Sequence, residues 1–235
     1  MDMKTVKNSF FGLVDPESEP FELMIKHLEL VIEANQQTNI TSINNLKEAV
    51  YLHAYDSLLG LAWLEDAEQG LFADIGSGAG FPGIPLALFS GRRGALIEAT
   101  KKKALLLNSF LDELGLSEAV SVIPLRAQQV ARQQKTMYTA ITARAVSSLA
   151  ALMELASPLL QINGILIAYK GPAIKTELDK AKDLEELLGM KIETIGEYQL
   201  PTVDARRSLV IIRKAAEAKI TLPRADGRAQ KRPMG

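Results

Sequence analysis

Residues 71–83 read LFADIGSGAGFPG, and this stretch decides the fold. An apolar run (71–75) leads into Gly76, Gly78 and Gly80, after which Phe81-Pro82-Gly83 opens an apolar segment of helical length. Glycines at such a turn allow positive φ and close approach of a ligand, and the helix that follows presents free N–H groups. The stretch predicts a strand, a ligand-binding turn and a helix.

Further short apolar runs follow at intervals of roughly 20 to 25 residues, each interval having the length of a helix. They are ALIEA (95–99), AVSVI (119–123), TAITA (139–143) and ILIAY (165–169). Strands spaced in this way predict right-handed βαβ units and a parallel sheet. KIETIGEYQL (191–200) and SLVIIRK (208–214) follow a predicted helix over 173–188 and are joined by a turn, so they predict a closing antiparallel hairpin.

The predicted fold is therefore α/β, Rossmann-like, with seven strands that are mostly parallel and an antiparallel last strand. Before the sheet, apolar residues recur at intervals of three and four over 19–36 and 46–64, which predicts an N-terminal helical extension. We assign residues 1–66 to this helical region, 67–215 to the core and 216–235 to a basic tail.

Composition excludes several classes of protein. The chain of 235 residues has no cysteine and two histidines, His27 and His53. It therefore has no disulfide framework, no thiolate nucleophile and too few ligands for a His-rich or Cys-based metal centre. No long uncharged apolar run occurs, and we expect a cytoplasmic, monomeric protein without membrane or metal partners.

Charge is unevenly distributed along the chain. Residues 1–72 carry a net charge of −8 and residues 206–235 a net charge of +7. The tail, with Arg224, Arg228, Lys231 and Arg232, predicts either a contact to a polyanion or a frayed end.

The glycine loop favours one kind of ligand. A dinucleotide fingerprint would place its third glycine at position 81, where this chain has Phe81. Asp74, two residues before the glycines, instead suits a cofactor with a cationic amino acid end, namely S-adenosylmethionine. The alternative is a glycine-rich turn that binds nothing.

Glu98 lies at the end of the second predicted strand, about 20 residues beyond the glycines. An acid there can accept hydrogen bonds from both ribose hydroxyls of a nucleoside. A surface ion pair with Lys101 or Lys102 is the alternative.

At this point the sequence resembles a known family. The segments that carry the likeness are TNITS, LHAYDSL, DIGSGAGFPGIPLAL, IEATKKKALLLNSFLDELGL, ITARAVSSL, GILIAYKG, PTVDARRSLVII and the LPR…G…KRPM pattern. Together these resemble RsmG (GidB), the bacterial 16S ribosomal RNA guanine-N7 methyltransferases. The resemblance covers roughly residues 20–235 and implies the predicted fold with S-adenosylmethionine as methyl donor.

The resemblance and the glycine loop together give the expected cofactor-binding residues. They are Asp74, Gly76, Ser77, Gly78, Gly80, Phe81, Glu98, Ala99, Thr100, Ala127, Gln128 and Arg144. One departure is that family members usually carry an acid where this chain has Gln128. An amide can still bond an adenine edge, but the local charge differs.

The residue types of this chain also agree with N7 of guanine as the atom that is methylated. Without cysteine, methylation at carbon 5 of a pyrimidine lacks its nucleophile. The turn after the fourth strand is Ala143-Arg144-Ala145, not the Asn/Asp-Pro-Pro-aromatic turn common in amine methyltransferases. Guanine N7 bears a lone pair, so no general base is expected and positioning carries catalysis. Arg144 is a site residue on this hypothesis and a structural ion-pair residue on the alternative.

Expected substrate contacts are Lys170, Arg206 and Arg207, which can neutralise RNA phosphates, together with His53 and Asp56. Solvated surface charge is the alternative for the three cations, and a mutual capping pair is the alternative for His53 and Asp56. The expected partner is 16S ribosomal RNA or the small ribosomal subunit. Two other functions compete: a methyltransferase of this fold acting on a small molecule or protein, and a noncatalytic RNA-binding assembly factor.

Overall fold

The computed structural model describes residues 2–234, and its centre is one seven-stranded sheet. The strands are β1 (Phe72–Ile75), β2 (Gly94–Ile97), β3 (Val120–Ile123), β4 (Tyr138–Arg144), β5 (Leu160–Lys170), β6 (Met190–Gln199) and β7 (Arg206–Lys214). Each contains one of the predicted runs or most of it. The strand that extends furthest beyond its run is β5, which begins five residues before residue 165.

The order across the sheet is β3-β2-β1-β4-β5-β7-β6. Strands β1 to β4 pair in parallel, β4 pairs with β5 in parallel, and β7 pairs antiparallel with both β5 and β6. Six strands therefore share one direction and only β7 opposes them, which confirms the predicted fold class. The reversal of order between β1 and β4 lies beside the glycine loop, where ligands bind in open α/β sheets.

Helices cover both faces of the sheet. They are α1 (Met3–Phe10), α2 (Glu19–Thr38), α3 (Leu46–Ala49), α4 (Asp56–Leu58), α5 (Leu61–Asp66), α6 (Gly83–Ser90), α7 (Lys101–Glu113), α8 (Ala127–Gln133), α9 (Leu149–Ala156), α10 (Lys175–Lys182), α11 (Glu185–Leu188) and α12 (Arg228–Lys231). The N-terminal helices share one apolar core with α6, α7 and one sheet face. Helices α8 to α12 share the other core. No helix among residues 2–234 is long and apolar enough to cross a membrane.

The prediction of one helix over 46–64 is corrected by the structure. A π-helical turn (Val50–Tyr55) follows α3, and the chain breaks again at Gly60 before α5. A Cβ at Gly60 would lie 2.2 Å from the Tyr169 hydroxyl, so only glycine lets the segment approach β5 this closely. The same hydroxyl donates to the Ser57 carbonyl at 2.6 Å. Contact with β5 therefore interrupts a helix that the apolar period alone predicts as continuous.

The tail is docked and not frayed, and Arg224 is therefore removed from the predicted polyanion contacts. The Nε–H group of Arg224 donates a hydrogen bond to Glu154 Oε1 at 2.7 Å, and a terminal N–H group of Arg224 donates to Glu154 Oε2 at 2.5 Å. The Glu154 side chain is only 2% exposed, on the inner side of α9. Leu222 and Ala229 are buried in the same core. Leu222 and Ala229 thus attach the tail to the core, whereas Arg228 and Lys231 stay exposed.

We expect Arg224→Ala to lower the free energy of unfolding by about 1–3 kcal/mol, because it leaves the buried Glu154 carboxylate without its partner. Arg228→Ala, in the same segment but exposed, is the matched control and should change stability by less than about 0.5 kcal/mol. Urea unfolding of both variants checks this. Equal stability of Arg224→Ala and wild type would contradict the docking role.

Candidate cofactor and acceptor site

The glycine loop offers open space at one position. Gly76, Gly78 and Gly80 all have positive φ, at 72°, 59° and 95°. A Cβ on Gly80 would meet Ile84 at 2.5 Å and the His27 ring at 3.0 Å, whereas a Cβ on Gly78 would meet nothing closer than 3.8 Å. Protein side chains therefore fill the space next to Gly80, whereas the space next to Gly78 is open. A ligand can contact the backbone there.

Glu98 fastens this loop to the end of β2. Its Oε2 accepts the Gly78 N–H at 3.0 Å and its Oε1 accepts the Thr100 N–H at 2.7 Å. Among the residues that the structure describes, it forms no ion pair with Lys101 or Lys102, which was the alternative role. Each carboxylate oxygen keeps a second lone pair, so acceptance from ribose hydroxyls remains chemically open and stays a prediction.

Asp74 has a different role from the one predicted. It is fully buried, Oδ1 accepts from the Thr142 hydroxyl at 2.8 Å and Oδ2 from the Gly83 N–H at 3.3 Å. Burial raises the pKa of this carboxyl to about 6. Asp74 thus joins β1 to β4 and to the start of α6 beneath the loop. A direct contact to a cofactor's amino acid end does not fit this position.

The other predicted cofactor residues lie around the same edge of the sheet. Gln128, at the start of α8, is 3% exposed, and its Nε2 has no hydrogen-bond partner within residues 2–234. A buried amide without a partner normally has one supplied by a ligand or water. Ala99 and Thr100 are exposed at the end of β2, Ala127 is buried, and the Ser77 hydroxyl is turned inward to the Asp74 carbonyl.

Phe81 lies between two imidazoles. Its ring centroid is 4.5 Å from that of His27 and 4.6 Å from that of His53, the latter stacked at an interplanar angle of 14°. The guanidinium carbon of Arg144 lies 5.4 Å from the same centroid. The N-terminal region therefore supplies both rings that hold the last residue of the glycine loop. His27 was not predicted as a site residue, because a lone histidine on an apolar helix face carries no signal in the sequence.

Both histidines are neutral. Burial lowers the pKa of His27 and of His53 to about 3, and the Arg144 charge contributes at His53. His27 Nε2 is 3.0 Å from the Ala79 carbonyl and must donate to it. His53 Nδ1 lies 3.1 Å from an Arg144 nitrogen, which can only donate, so the His53 proton is on Nε2 and points to Thr41 Oγ1 at 2.9 Å.

Arg144 is held by the N-terminal region through three bonds. One terminal nitrogen donates to Asp56 Oδ2 at 2.9 Å and to the Leu52 carbonyl at 3.0 Å, and the other donates to His53. His53 and Asp56 thus do not form the mutual pair that was the alternative to a substrate contact; both bind Arg144. Arg144 therefore forms the ion pair that was its alternative role, and its predicted role as a site residue stays a prediction.

The three predicted phosphate-binding cations are placed differently from one another. Lys170 pairs with Glu177 at 2.8 Å and donates to the Ser147 carbonyl. Arg207 Nε lies 3.3 Å from Asp56 Oδ1, an ion pair without hydrogen-bond alignment. Arg206 is exposed and has no ion pair among the described residues. Only Arg206 is fully available for an external anion.

A cleft of about 440 Å³ opens beside this network, lined by Ser42, Ile43, Leu52, His53, Asp56, Arg144, Ala145, Tyr169, Lys170, Gly171 and Arg207. His53 and Arg144 line the cleft and also contact Phe81. The cleft, which we term the acceptor cleft, therefore lies one side chain away from the glycine loop. Within residues 2–234 no group of three or more metal-ligating side chains is present.

The chain has the fold of the Rossmann-like, S-adenosylmethionine-dependent methyltransferases. Its fold is similar to that of an O-methyltransferase from Bacillus cereus in complex with SAH, with a TM-score of 0.59, 16% identity and 89% and 97% of the two chains covered. It is also similar to that of TYW2 from M. jannaschii in complex with AdoMet, with a TM-score of 0.52, 16% identity and 67% and 74% coverage.

The chain belongs to the family described as rRNA small subunit methyltransferase G, whose model matches residues 21–210. It is 38% identical to the ribosomal RNA small subunit methyltransferase G of Pelotomaculum thermopropionicum, over 89% of this chain and 88% of the relative. The relative of the same name from Carboxydothermus hydrogenoformans is 34% identical, with 95% of each chain covered. The family and the methyl donor expected from the sequence are thereby confirmed.

Gly78→Asp should weaken S-adenosylmethionine binding more than tenfold, because its side chain fills the open space and brings a second carboxylate next to Glu98. Gly91→Asp is the matched control: Gly91 also has positive φ, at 63°, and open space, but ends α6 away from the loop. Calorimetric titration of both folded variants checks this. Cofactor affinity lost equally in both would contradict the placement of the site.

The two neutral histidines predict a pH dependence of stability. Below pH 6.5 the unfolded chain binds protons at His27 and His53 that the folded chain does not, so their stabilisation is present above this pH and is lost as pH falls. Asp74 has the opposite effect between about pH 4 and 6: because its pKa is raised in the folded chain, its protonation stabilises the folded chain as pH falls.

His27→Phe should flatten the decline between pH 6.5 and 5 by about one proton, or about 1.4 kcal/mol per pH unit. Unfolding free energies at several pH values measure the slope. An unchanged slope would mean that His27 is not a buried neutral imidazole.

Proposed function

We propose that this chain transfers a methyl group from S-adenosylmethionine to N7 of a guanine in 16S ribosomal RNA, within the small ribosomal subunit or its rRNA. The observation that carries the proposal is Arg144, which contacts Phe81 of the glycine loop and lines the acceptor cleft. A base in that cleft lies beside the loop expected to bind the methyl donor. The cleft is built from one chain, and we propose that the protein acts as a monomer in the cytoplasm.

The residues present fit the cofactor. Open space above Gly78, the free lone pairs of Glu98 and the unpartnered Gln128 amide lie at the ends of β1, β2 and β3, in the order expected for an amino acid end, a ribose and an adenine. When bound, S-adenosylmethionine supplies a methyl group on a sulfonium that the N7 lone pair can attack directly. The protein needs to provide orientation and no general base, which agrees with the two neutral histidines.

Arg144 has the donors to orient a guanine. Its guanidinium carries five N–H donors, and the three bonds to Leu52, His53 and Asp56 leave two free. Guanine presents O6 as an acceptor beside N7. We propose that Arg144 donates to O6, so that N7 stays unbonded and faces the methyl donor. Asp56 offsets the Arg144 charge next to a ring that becomes cationic on methylation.

The test is to map N7-methylguanine in small-subunit rRNA from cells with and without the chain. One modified guanine should disappear without it and return with the wild type. Arg144→Ala should fail to restore it, whereas Arg213→Ala should restore it, since Arg213 pairs with Glu193 at the opposite end of β7. An rRNA modification pattern that is identical with and without the chain would contradict the proposed function.

A further inference from the structure

A second cleft, of about 350 Å³, lies on the other side of β7 from the acceptor cleft. It forms where β6 ends, β7 begins and α10 starts, and Lys175, Gln199, Arg206 and Ser208 are among its lining residues. Because β7 runs antiparallel to the other strands, its first residues lie at the same sheet edge as the glycine loop. Arg207 lines both clefts. The two are therefore neighbours separated by one strand.

Ser208 is a polar residue in an apolar position. Its alternating neighbours on the same face of β7, Val210 and Ile212, are buried in the core with α9 and α10. Ser208 as a whole is only 2% exposed, but its hydroxyl oxygen makes no hydrogen bond within the described residues and is accessible from the cleft. Since Ser208 lines the cleft, a molecule in the cleft can supply that bond.

Charge at this cleft favours an anion. Arg206 and Lys175 are exposed and neither has a carboxylate within 4 Å among the described residues. Glu197 also lines the cleft and removes part of the positive charge. Arg207 also lines the cleft, and its charge is only partly offset, because Asp56 is shared between Arg207 and Arg144. Arg206, Lys175 and Glu197 alone leave one positive charge at the cleft, with a guanidinium, an ammonium and the Ser208 hydroxyl as donors.

Consecutive residues of a strand point to opposite faces. Arg206 and Ser208 therefore lie on one face of β7, and Arg207 lies on the opposite face. Arginine, lysine and serine donors are those that commonly bind the phosphate oxygens of nucleic acids.

We propose that the second cleft binds a phosphodiester group of the same RNA strand that places its guanine in the acceptor cleft, through Arg206, Lys175 and the Ser208 hydroxyl. The inference depends on the proposed function, because it requires an RNA strand in the acceptor cleft. It assigns a fixed point at which the strand is held next to the reacting base.

The test compares Arg206→Ala, Lys175→Ala and Ser208→Ala with Lys191→Ala. Lys191 is an exposed cation at the opposite end of β6, without an ion pair among the described residues, and is the matched control. The substrate is protein-free small-subunit rRNA or the assembled subunit, whichever the wild type methylates. Binding is measured as a function of salt, and S-adenosylmethionine affinity is measured separately.

Arg206→Ala and Lys175→Ala should each weaken RNA binding about tenfold and reduce the slope of log K against log salt by up to about 0.7, the value for one phosphate contact on a single strand. Ser208→Ala should weaken binding about as much while the slope stays unchanged, because it removes a donor and no charge. Lys191→Ala should change neither, and cofactor affinity should be that of wild type in all four.

The inference is overturned if Arg206→Ala and Lys175→Ala behave like Lys191→Ala, if Ser208→Ala binds RNA as wild type does, or if these variants lose cofactor affinity. In each of these cases the wild type still methylates rRNA, so the proposed function stands. If the wild type methylates no rRNA, the proposed function itself is wrong. Methylation by the wild type is therefore measured before the variants are compared.

Discussion

The ion pair between Arg144 and Asp56 connects the N-terminal helices to the sheet at the cleft where we propose that methyl transfer occurs. Arg144 ends β4, and Asp56 comes from the N-terminal region, 88 residues earlier. Asp56 is almost fully buried and also lies beside Arg207, so one carboxylate fixes cations from two strands. Removing it would leave two guanidinium groups facing one another in a partly buried site, which is strongly unfavourable. The acceptor cleft depends on this carboxylate for its shape and charge.

The same network sets the state of the glycine loop. His53 can accept from Arg144 only while it is neutral, and in that state it stacks on Phe81, whose other side contacts His27. The rings of His27 and His53 thereby pack against the loop at Phe81, and the Glu98 carboxylate holds it at Gly78 through a hydrogen bond. Such prior ordering lowers the entropic cost of binding a ligand in one orientation. For a reaction that needs alignment and no general base, this is the main contribution a protein can make.

Sequence reasoning predicted what local patterns determine. The apolar runs predicted every strand, and the glycines with their following helix predicted where a ligand approaches. It failed where distant residues decide: Tyr169 interrupts the helix predicted over 46–64, Arg224 docks on Glu154, and Arg144 binds His53 and Asp56 separately. The inward position of Asp74 was missed for the same reason, since its partner Thr142 is 68 residues away. A single sequence contains no periodic or motif signal for such pairs.

Hydrogen exchange of residues 76–83 tests most directly whether the N-terminal region orders the glycine loop. His53→Ala removes the ring stacked on Phe81 and the acceptor for Arg144, so exchange in this segment should become at least tenfold faster. Tyr169→Phe is the control, because it removes the hydroxyl that donates to Ser57, another contact of the same region, without touching Phe81. The account predicts faster loop exchange in His53→Ala and wild-type loop exchange in Tyr169→Phe. Wild-type exchange of residues 76–83 in His53→Ala would contradict it.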